Sequence, residues 1–164
     1  MIKLDEIKDV LNPNCIVGNT YMEEKKQKMH INISYSKDYI LFQSDKKGAV
    51  CLKCFHQSVS CVNRIADYII FTIKNNTIHC VIVELKKTDN PREQLILTEF
   101  FVEFLFKRIF YKYKQSPNLV IRKIGAFKTD LPKGYKMSTK PGKFYDNNGF
   151  AYIKGNMFNL GQYL

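Results

Sequence analysis

The sequence contains no tryptophan, no long uninterrupted apolar stretch and few acidic residues. Its 15 Asp and Glu side chains stand against 26 Lys and Arg side chains, so the 164-residue chain carries a formal net charge of +11. That charge favours an anionic partner, nucleic acid first, with an anionic membrane surface or an ordinary basic surface as alternatives. The longest apolar stretch, residues 95–110, falls short of the roughly 18 apolar residues of a membrane span, because four charged side chains interrupt it: Glu99, Glu103, Lys107 and Arg108. We therefore expect no transmembrane helix.

Glycine-rich phosphate-binding loops are also absent, and the cysteines are few and odd in number. No Walker-type Gly-Lys-Ser/Thr step occurs, which argues against an NTPase. The N-terminal residues lack the apolar core of a signal peptide, so we expect a cytoplasmic, reducing setting. Cys51, Cys54 and His56, with Cys61, have the composition of a zinc site. Cys51 and Cys54, however, have an odd spacing within a predicted strand, so they point to opposite faces and favour buried thiols instead.

The composition, with 45% hydrophobic and 25% charged residues, is that of a globular domain with a sizeable core. We find no internal repeat and no linker, so residues 1–164 are expected to form a single α/β domain. Its core should span about 39–127 and be followed by a basic, aromatic segment over 128–164. Local patterns predict a helix through Leu4, Ile7 and Leu11, a short charged helical turn over 21–28, a hairpin of strands 39–42 and 49–55, and further strands at 119–127 and 150–153.

The strongest local signal is a hairpin. Residues 67–74 and 77–86 are rich in β-branched and aromatic side chains, and Asn75-Asn76 between them suits a two-residue type I′ turn. This turn fixes the register and places Asp67 opposite Glu84. Alternation along the second strand puts Lys86 on the same face as Glu84, and sends Val81, Val83 and Leu85 to the opposite face and the core.

Two acidic groups and one amine therefore meet at the end of this hairpin. Directly opposed side chains have Cβ atoms about 5 Å apart, where like charges destabilise a sheet. A divalent cation such as Mg²⁺ offsets this repulsion, since it prefers carboxylate oxygens and substrate phosphates. The alternative is that Asp67 and Glu84 are strand-end charges that reach solvent, with Lys86 as an ordinary partner of Glu84.

A long helix is expected after the hairpin. Asn90 can cap it, with Pro91 at its first position and Glu93 completing a capping box, and it should run to about Lys112. Apolar side chains cover most of its circumference, which predicts burial on more than one side. We weigh two interpretations: a central packing helix, or a helix over 92–112 that also forms a homodimer interface.

Asp67, the strand pair, Glu84-Leu85-Lys86 and the helix bearing Gln94 resemble the PD-(D/E)XK nuclease superfamily over roughly residues 49–127. The resemblance implies a restriction-endonuclease-like core, a mixed β-sheet flanked by helices. It implies that Asp67 and Glu84 bind Mg²⁺ or Mn²⁺ with help from the Leu85 carbonyl, that Lys86 is catalytic and that Gln94 is an accessory. It also implies an upstream helical Glu in the metal site, for which Glu23 or Glu24 is our choice and Glu6 the reserve. Ala66 stands where the name-giving Pro would be.

The C-terminal segment adds a candidate nucleic-acid-binding region. Its lysines and aromatic residues can contact phosphates and stack on bases, although a solvated basic surface is an equal alternative; they are Lys133, Lys136, Lys140, Lys143, Tyr135 and Tyr145. Together these features predict a Mg²⁺-dependent endonuclease that hydrolyses phosphodiester bonds, with DNA as the preferred substrate, in phage defence, restriction or repair. The rival hypotheses are a catalytically inactive nucleic-acid-binding module and a protein-interaction subunit of a larger complex.

Overall fold

A computed structural model of the chain describes residues 2–46, 64–87, 89–128, 131, 145–146 and 148–164. Several sequence predictions lie outside these residues. They are the strand over 49–55, the group Cys51, Cys54, His56 and Cys61, and the nucleic-acid candidates Lys133, Tyr135, Lys136, Lys140 and Lys143. Among the described residues, no helix combines the length and the apolar character needed to cross a membrane.

The described chain forms two sheets and two α-helices. Six strands make a sheet in the order β1-β4-β5-β6-β7-β8, which is antiparallel from β1 to β6 and parallel from β6 to β8, and β2-β3-β9 make a second sheet. This confirms the mixed α/β class. The elements are α1 (Leu4–Lys8), β1 (Ile16–Val17), β2 (Tyr21–Glu24), β3 (Met29–Ser34), β4 (Tyr39–Gln43), β5 (Tyr68–Lys74), β6 (Thr77–Lys86), α2 (Arg92–Tyr113), β7 (Asn118–Phe127), β8 (Phe150–Lys154) and β9 (Met157–Asn159), with 3₁₀ turns at Pro13–Cys15 and Leu160–Tyr163.

Apolar cores lie on both faces of the six-stranded sheet. On one face, α1 and α2 cover a core that includes Ile7, Phe71, Ile82, Leu95 and Phe106. On the other face, the three-stranded sheet covers a core that includes Met22, Ile31, Val83, Leu85 and Phe158. Among the described residues, helices therefore cover one face of the six-stranded sheet, and a second β-layer covers the other.

The β5–β6 hairpin has the predicted turn and register. Asn75 and Asn76 have positive φ angles of 50° and 60°, as a type I′ turn requires. Cross-strand pairs run from Lys74↔Thr77 at the turn to Tyr68↔Val83 at the far end. Val83 and Leu85 are fully buried, as the alternation predicted. The next position along this register is the pair Asp67 and Glu84.

The charged stretch over 21–28 is a strand and a turn, so the prediction of a helical turn was wrong. Glu24 pairs with Met29 across an antiparallel hairpin, and Lys28 closes its turn with a φ of 52°. The apolar side chains explain the difference, because Met22 and Met29 are both buried against the six-stranded sheet. The predicted hairpin of 39–42 with 49–55 is not tested on its second strand, and β4 pairs with β1 and β5.

Helix α2 begins and ends close to the predicted positions, but it is buried on one face only. The Asn90 side chain accepts a hydrogen bond from Arg92 N at 3.0 Å, but Pro91 and not Asn90 is the N-cap, so the helix begins one residue later than predicted. The buried side chains are Leu95, Thr98, Val102, Phe106 and Ile109. Within the described chain the other side of the helix is exposed, so burial on a second side depends on the homodimer interpretation; the exposed side chains are Ile96, Phe100, Phe104 and Tyr111. Homodimerisation through this helix stays a prediction.

A glycine allows the start of α2 to lie close to the sheet. Gly125 pairs with Glu84 across β6 and β7, and a Cβ at this position would lie 2.7 Å from the Pro91 side chain. No other residue fits this approach without moving the helix. Gly125 therefore sets the distance between the beginning of α2 and the end of β6.

A buried hydroxyl joins α2 to the residues before β5, and its removal tests this link. Ala66 N donates to Thr98 Oγ1 at 2.7 Å, and Thr98 Oγ1 donates to the Gln94 carbonyl at 2.7 Å. The change Thr98→Val leaves a buried N–H without an acceptor and should lower the free energy of unfolding by about 1–3 kcal/mol. Urea denaturation measures this loss. Thr98→Ser, which keeps the hydroxyl, is the control, and equal stabilities of the two variants would contradict the assignment.

Candidate functional site

Asp67 and Glu84 are joined by backbone hydrogen bonds at the end of the β5–β6 hairpin. Asp67 N donates to Glu84 Oε2 at 3.0 Å, and Leu85 N donates to Asp67 Oδ2 at 2.7 Å. Each carboxylate thus accepts an N–H from the neighbouring strand. The structure brings the two acids together where the register predicted them.

Three hydrogen bonds, with Ser44 and Thr98, hold the backbone that carries Asp67. Ser44 N donates to the Asp67 carbonyl at 2.9 Å, which extends the β4–β5 ladder by one step. Ser44 Oγ donates to the Ala66 carbonyl at 2.6 Å, and Thr98 of α2 accepts the Ala66 N–H. Since Ala66 and Ser44 are buried, this segment is fixed before any ligand arrives.

Lys86 forms a mostly buried ion pair with Glu84. Its Nζ lies 2.8 Å from Glu84 Oε1, and the side chains of Lys86 and Glu84 are only 14% and 2% exposed. The interpretation of Glu84 as a solvent-facing strand-end charge therefore does not hold, while Lys86 is its partner. In a buried ion pair, the attraction between closely placed charges offsets the cost of removing them from water. The short distance therefore holds Lys86 in a defined position.

Asp67 also belongs to a cluster of three carboxylates, which we call the carboxylate group. The carboxylates of Glu24, Asp45 and Asp67 have oxygen atoms within 4.8 Å of one another. They come from the end of β2, from the residues after β4 and from the residue before β5. Three carboxylate oxygens at this separation are a donor set suited to a hard divalent cation such as Mg²⁺ or Mn²⁺. Glu84 lies behind this group, through its hydrogen bond to Asp67 N.

Three acids of the site, Asp67, Glu84 and Asp45, hold their protons more tightly than in water. Burial first, and then the charge of Glu84, raise the pKa of Asp67 to about 8, against the opposing effect of the Leu85 N–H. Burial also raises the pKa of Glu84 to about 7, although the Lys86 ammonium acts to lower it. The pKa of Asp45 is raised as well, first by burial and then by Glu24. Loss of contact with water is the largest cause of all three shifts, and the charge of a neighbouring acid adds to each of them.

Only one of the three upstream glutamates belongs to the carboxylate group. Glu24 is a member, on a strand and not on the expected helix. The Glu23 side chain is exposed, and its backbone N–H and carbonyl bond to the Tyr68 hydroxyl at 3.0 and 2.9 Å. Glu6 caps α1, where its carboxylate accepts Lys3 N at 2.7 Å. Of these three glutamates, Glu24 is therefore the best candidate for a metal ligand.

Two further predicted site groups lie nearby. The Leu85 carbonyl accepts Gln27 Nε2 at 3.3 Å, so the β2–β3 turn reaches the peptide between Glu84 and Lys86. Gln94 lies one helical turn before Thr98, and its carbonyl accepts the Thr98 hydroxyl. The roles of Leu85 and Gln94 in metal binding and catalysis stay predictions. Tyr145, predicted to bind nucleic acid, packs against Arg122 and Tyr163 and donates its hydroxyl to the Tyr163 carbonyl at 2.8 Å.

Sequence reasoning missed Asp45 and Gln27. Asp45 lies between the two strands of the hairpin predicted over 39–42 and 49–55, where the sequence indicates only a connection. It reaches the site because Gln43 pairs with Tyr68 across β4 and β5. That pairing joins distant residues and has no local signal. Gln27 was assigned to a helical turn, and only the β2–β3 hairpin aims it at Leu85.

Comparisons with protein-family profiles, with curated protein sequences and with solved structures find no match to this chain. The site is therefore interpreted from its own geometry.

The raised pKa values predict how stability depends on pH. Without metal, the folded protein binds protons to Asp67 and Glu84 that the unfolded chain, with acids near their ordinary pKa, has released. Its free energy of unfolding should therefore fall as the pH rises from about 5 to about 8. Thermal melts in EDTA measure this fall, and Asp67→Asn with Glu84→Gln should flatten it. If the stability of the wild type and of the double variant fell equally with pH, the raised pKa values of Asp67 and Glu84 would be contradicted.

The carboxylate group predicts which acids bind a cation. In calorimetric titrations with MgCl₂ and MnCl₂ near pH 8, Glu24→Gln or Asp45→Asn should weaken binding by at least the roughly tenfold loss that even an outer-shell change produces. Glu23→Gln, one residue away and exposed, is the matched control and should bind like wild type. Equal effects of Glu23→Gln and Glu24→Gln would contradict the site.

Proposed function

We propose that this protein is a metal-dependent nuclease of the PD-(D/E)XK type that hydrolyses phosphodiester bonds, with DNA as the preferred substrate. The observation that carries the proposal is the buried arrangement in which Lys86 pairs with Glu84 and Glu84 accepts the N–H of Asp67. Asp67 then connects this pair to the carboxylates of Glu24 and Asp45. An ammonium beside a carboxylate group is suited to a negatively charged phosphate ester.

The order of elements supports the resemblance. Asp67 precedes β5, Glu84 and Lys86 end β6, and Gln94 lies in the helix that follows, all around one mixed sheet. The alanine at the expected proline position also has a local reason. Ala66 donates its backbone N–H to Thr98, a hydrogen bond that proline cannot form. Proline at 66 would release the segment that holds Asp67 from α2.

Oxygen donors at the site fit a Mg²⁺ or Mn²⁺ cofactor. Glu24, Asp45 and Asp67 would hold it, since their carboxylate oxygens already lie within 4.8 Å of one another. When bound, such a cation polarises a phosphate and lowers the pKa of a coordinated water. Glu84 supports the site from behind by fixing Asp67 N.

Lys86 is the residue best placed to act on the phosphate itself. Its ammonium is held at 2.8 Å by Glu84 Oε1 and keeps 14% of the side chain exposed, so its remaining N–H groups can donate to a phosphate oxygen. During hydrolysis, water forms a new bond to phosphorus while the bond to the leaving oxygen breaks, and negative charge builds on the phosphate oxygens. A fixed ammonium stabilises that charge without reorganising.

Cleavage assays test the proposal. We expect the purified protein to cut at least one of plasmid, linear duplex, single-stranded DNA or RNA with Mg²⁺ or Mn²⁺, and none in EDTA. Lys86→Ala should lower the rate roughly 100-fold or more, the effect of removing one fixed donor to a developing charge. Lys87→Ala, the exposed neighbouring lysine, should retain activity and is the matched control.

Other outcomes would favour the rival hypotheses. Activity that survives Lys86→Ala would remove Lys86 from the site. Binding of nucleic acid without cleavage under either metal would favour an inactive binding module. A lack of affinity even at low salt, where counterion release makes binding strongest, would favour a protein-interaction subunit.

A further inference from the structure

The three-stranded sheet has a polar and aromatic outer face. Its inward side chains, such as Met22, Ile31 and Phe158, are buried against the six-stranded sheet. The outward positions are occupied by Tyr21, His30, Asn32, Met157 and Asn159, and Met157 is 58% exposed. Tyr21, Asn32 and Met157 form one row across the three strands. A β-sheet with exposed rings and amides offers both stacking surfaces and hydrogen-bonding groups.

Two rings on this face are already stacked. The Tyr21 and His30 ring centroids lie 4.4 Å apart with planes inclined by 30°. His30 Nε2 is also 3.1 Å from Asn32 Oδ1, which orients the imidazole on the sheet. Rings held in this way lose little conformational freedom when a third ring stacks on them.

A basic cavity adjoins the same face. Its volume is about 380 Å³, and its lining includes Lys28, His30, Lys128 and Asn156. Lys128 Nζ donates to the Lys28 carbonyl at 3.1 Å, so the two lysine residues are neighbours although they are far apart in sequence. Lys25 and Lys26, in the turn that leads to Lys28, are exposed as well. The cavity thus presents positive charge beside the stacked rings.

The cavity also lies next to the candidate site. The β2–β3 turn that supplies Lys28 follows directly on Glu24 and places Gln27 on the Leu85 carbonyl. Lys128 follows Phe127, which pairs with Lys86 across β6 and β7. Because His30 belongs both to the ring pair and to the lining of the cavity, one ligand can contact the rings and the lysines together.

We propose that this face and cavity bind a single-stranded nucleic acid, with bases stacked on Tyr21 and His30 and phosphates at Lys28 and Lys128. Stacking on protein rings needs bases whose faces are free, which a paired duplex does not offer. The proposal rests on the proposed nuclease function, for which it names the substrate class. DNA and RNA share the chemistry used here and are separated by the experiment.

One acidic side chain gives this proposal a distinctive test. Glu23 pairs with His30 across β2 and β3, and its exposed carboxylate lies on the outer face, where it repels phosphates. If a nucleic acid crosses this face, Glu23→Gln should strengthen binding. A variant that gains affinity cannot be explained by misfolding.

Fluorescence anisotropy in EDTA measures binding separately from cleavage. With labelled oligothymidine, the matching RNA and a duplex of equal length, we expect wild type to prefer a single strand. Tyr21→Ala should weaken binding about tenfold, a typical loss for one stacked base. Lys28→Ala and Lys128→Ala should each reduce the salt dependence by about one released ion. Tyr111→Ala and Lys8→Ala, both exposed on the helices, are matched controls and should bind like wild type.

Failure of this inference is distinguishable from failure of the nuclease proposal. Cleavage that depends on Lys86, together with a preference for duplex and unchanged binding by the Tyr21, Lys28 and Glu23 variants, would overturn the binding face and leave the nuclease intact. Single-strand binding that responds to these variants, without cleavage under either metal, would support the face and reject the nuclease. Thermal melts verify that each variant is folded.

Discussion

The rest of the structure depends on the exchange of backbone hydrogen bonds between Asp67 and the end of β6. Asp67 N–H donates to the Glu84 carboxylate, and Leu85 N–H donates to the Asp67 carboxylate. The two acids therefore lie side by side at the point where β5 begins. Burial raises the pKa of both acids, the charge of Glu84 raises the pKa of Asp67 further, and Lys86 acts to lower the pKa of Glu84. A fold that keeps this unfavourable arrangement must hold these residues in place through other contacts. Ser44, Thr98 and the type I′ turn all do so.

The parts of the site that could be predicted from the sequence are those set by local rules. Asn75-Asn76 fixes the register by turn chemistry, and period-two alternation then assigns Glu84 and Lys86 to one face. Asn90 and Pro91 indicate the helix start to within one residue, because Asn90 accepts the Arg92 N–H and Pro91 is the N-cap. Each of these depends on neighbours along the chain, so a single sequence carries enough information.

The remaining parts depend on pairings between distant residues. Asp45 reaches Asp67 only through the β4–β5 ladder, and nothing near residue 45 indicates that partner. The stretch over 21–28 is charged enough to resemble a helix, but it pairs as a hairpin because Met22 and Met29 are buried against the larger sheet. Tertiary burial therefore overrode local propensity, and it also placed Glu24 in the carboxylate group.

A second β-layer in place of a helical layer has a chemical consequence. A strand presents successive side chains to opposite faces, so β2 buries Met22 and leaves Tyr21 and Glu23 outside, while its last residue, Glu24, joins the carboxylate group. The same short hairpin therefore contributes to the core, to the exposed ring pair of Tyr21 and His30, and to the acids. Its turn residue Gln27 contacts the peptide between Glu84 and Lys86, which joins the two sheets at the site.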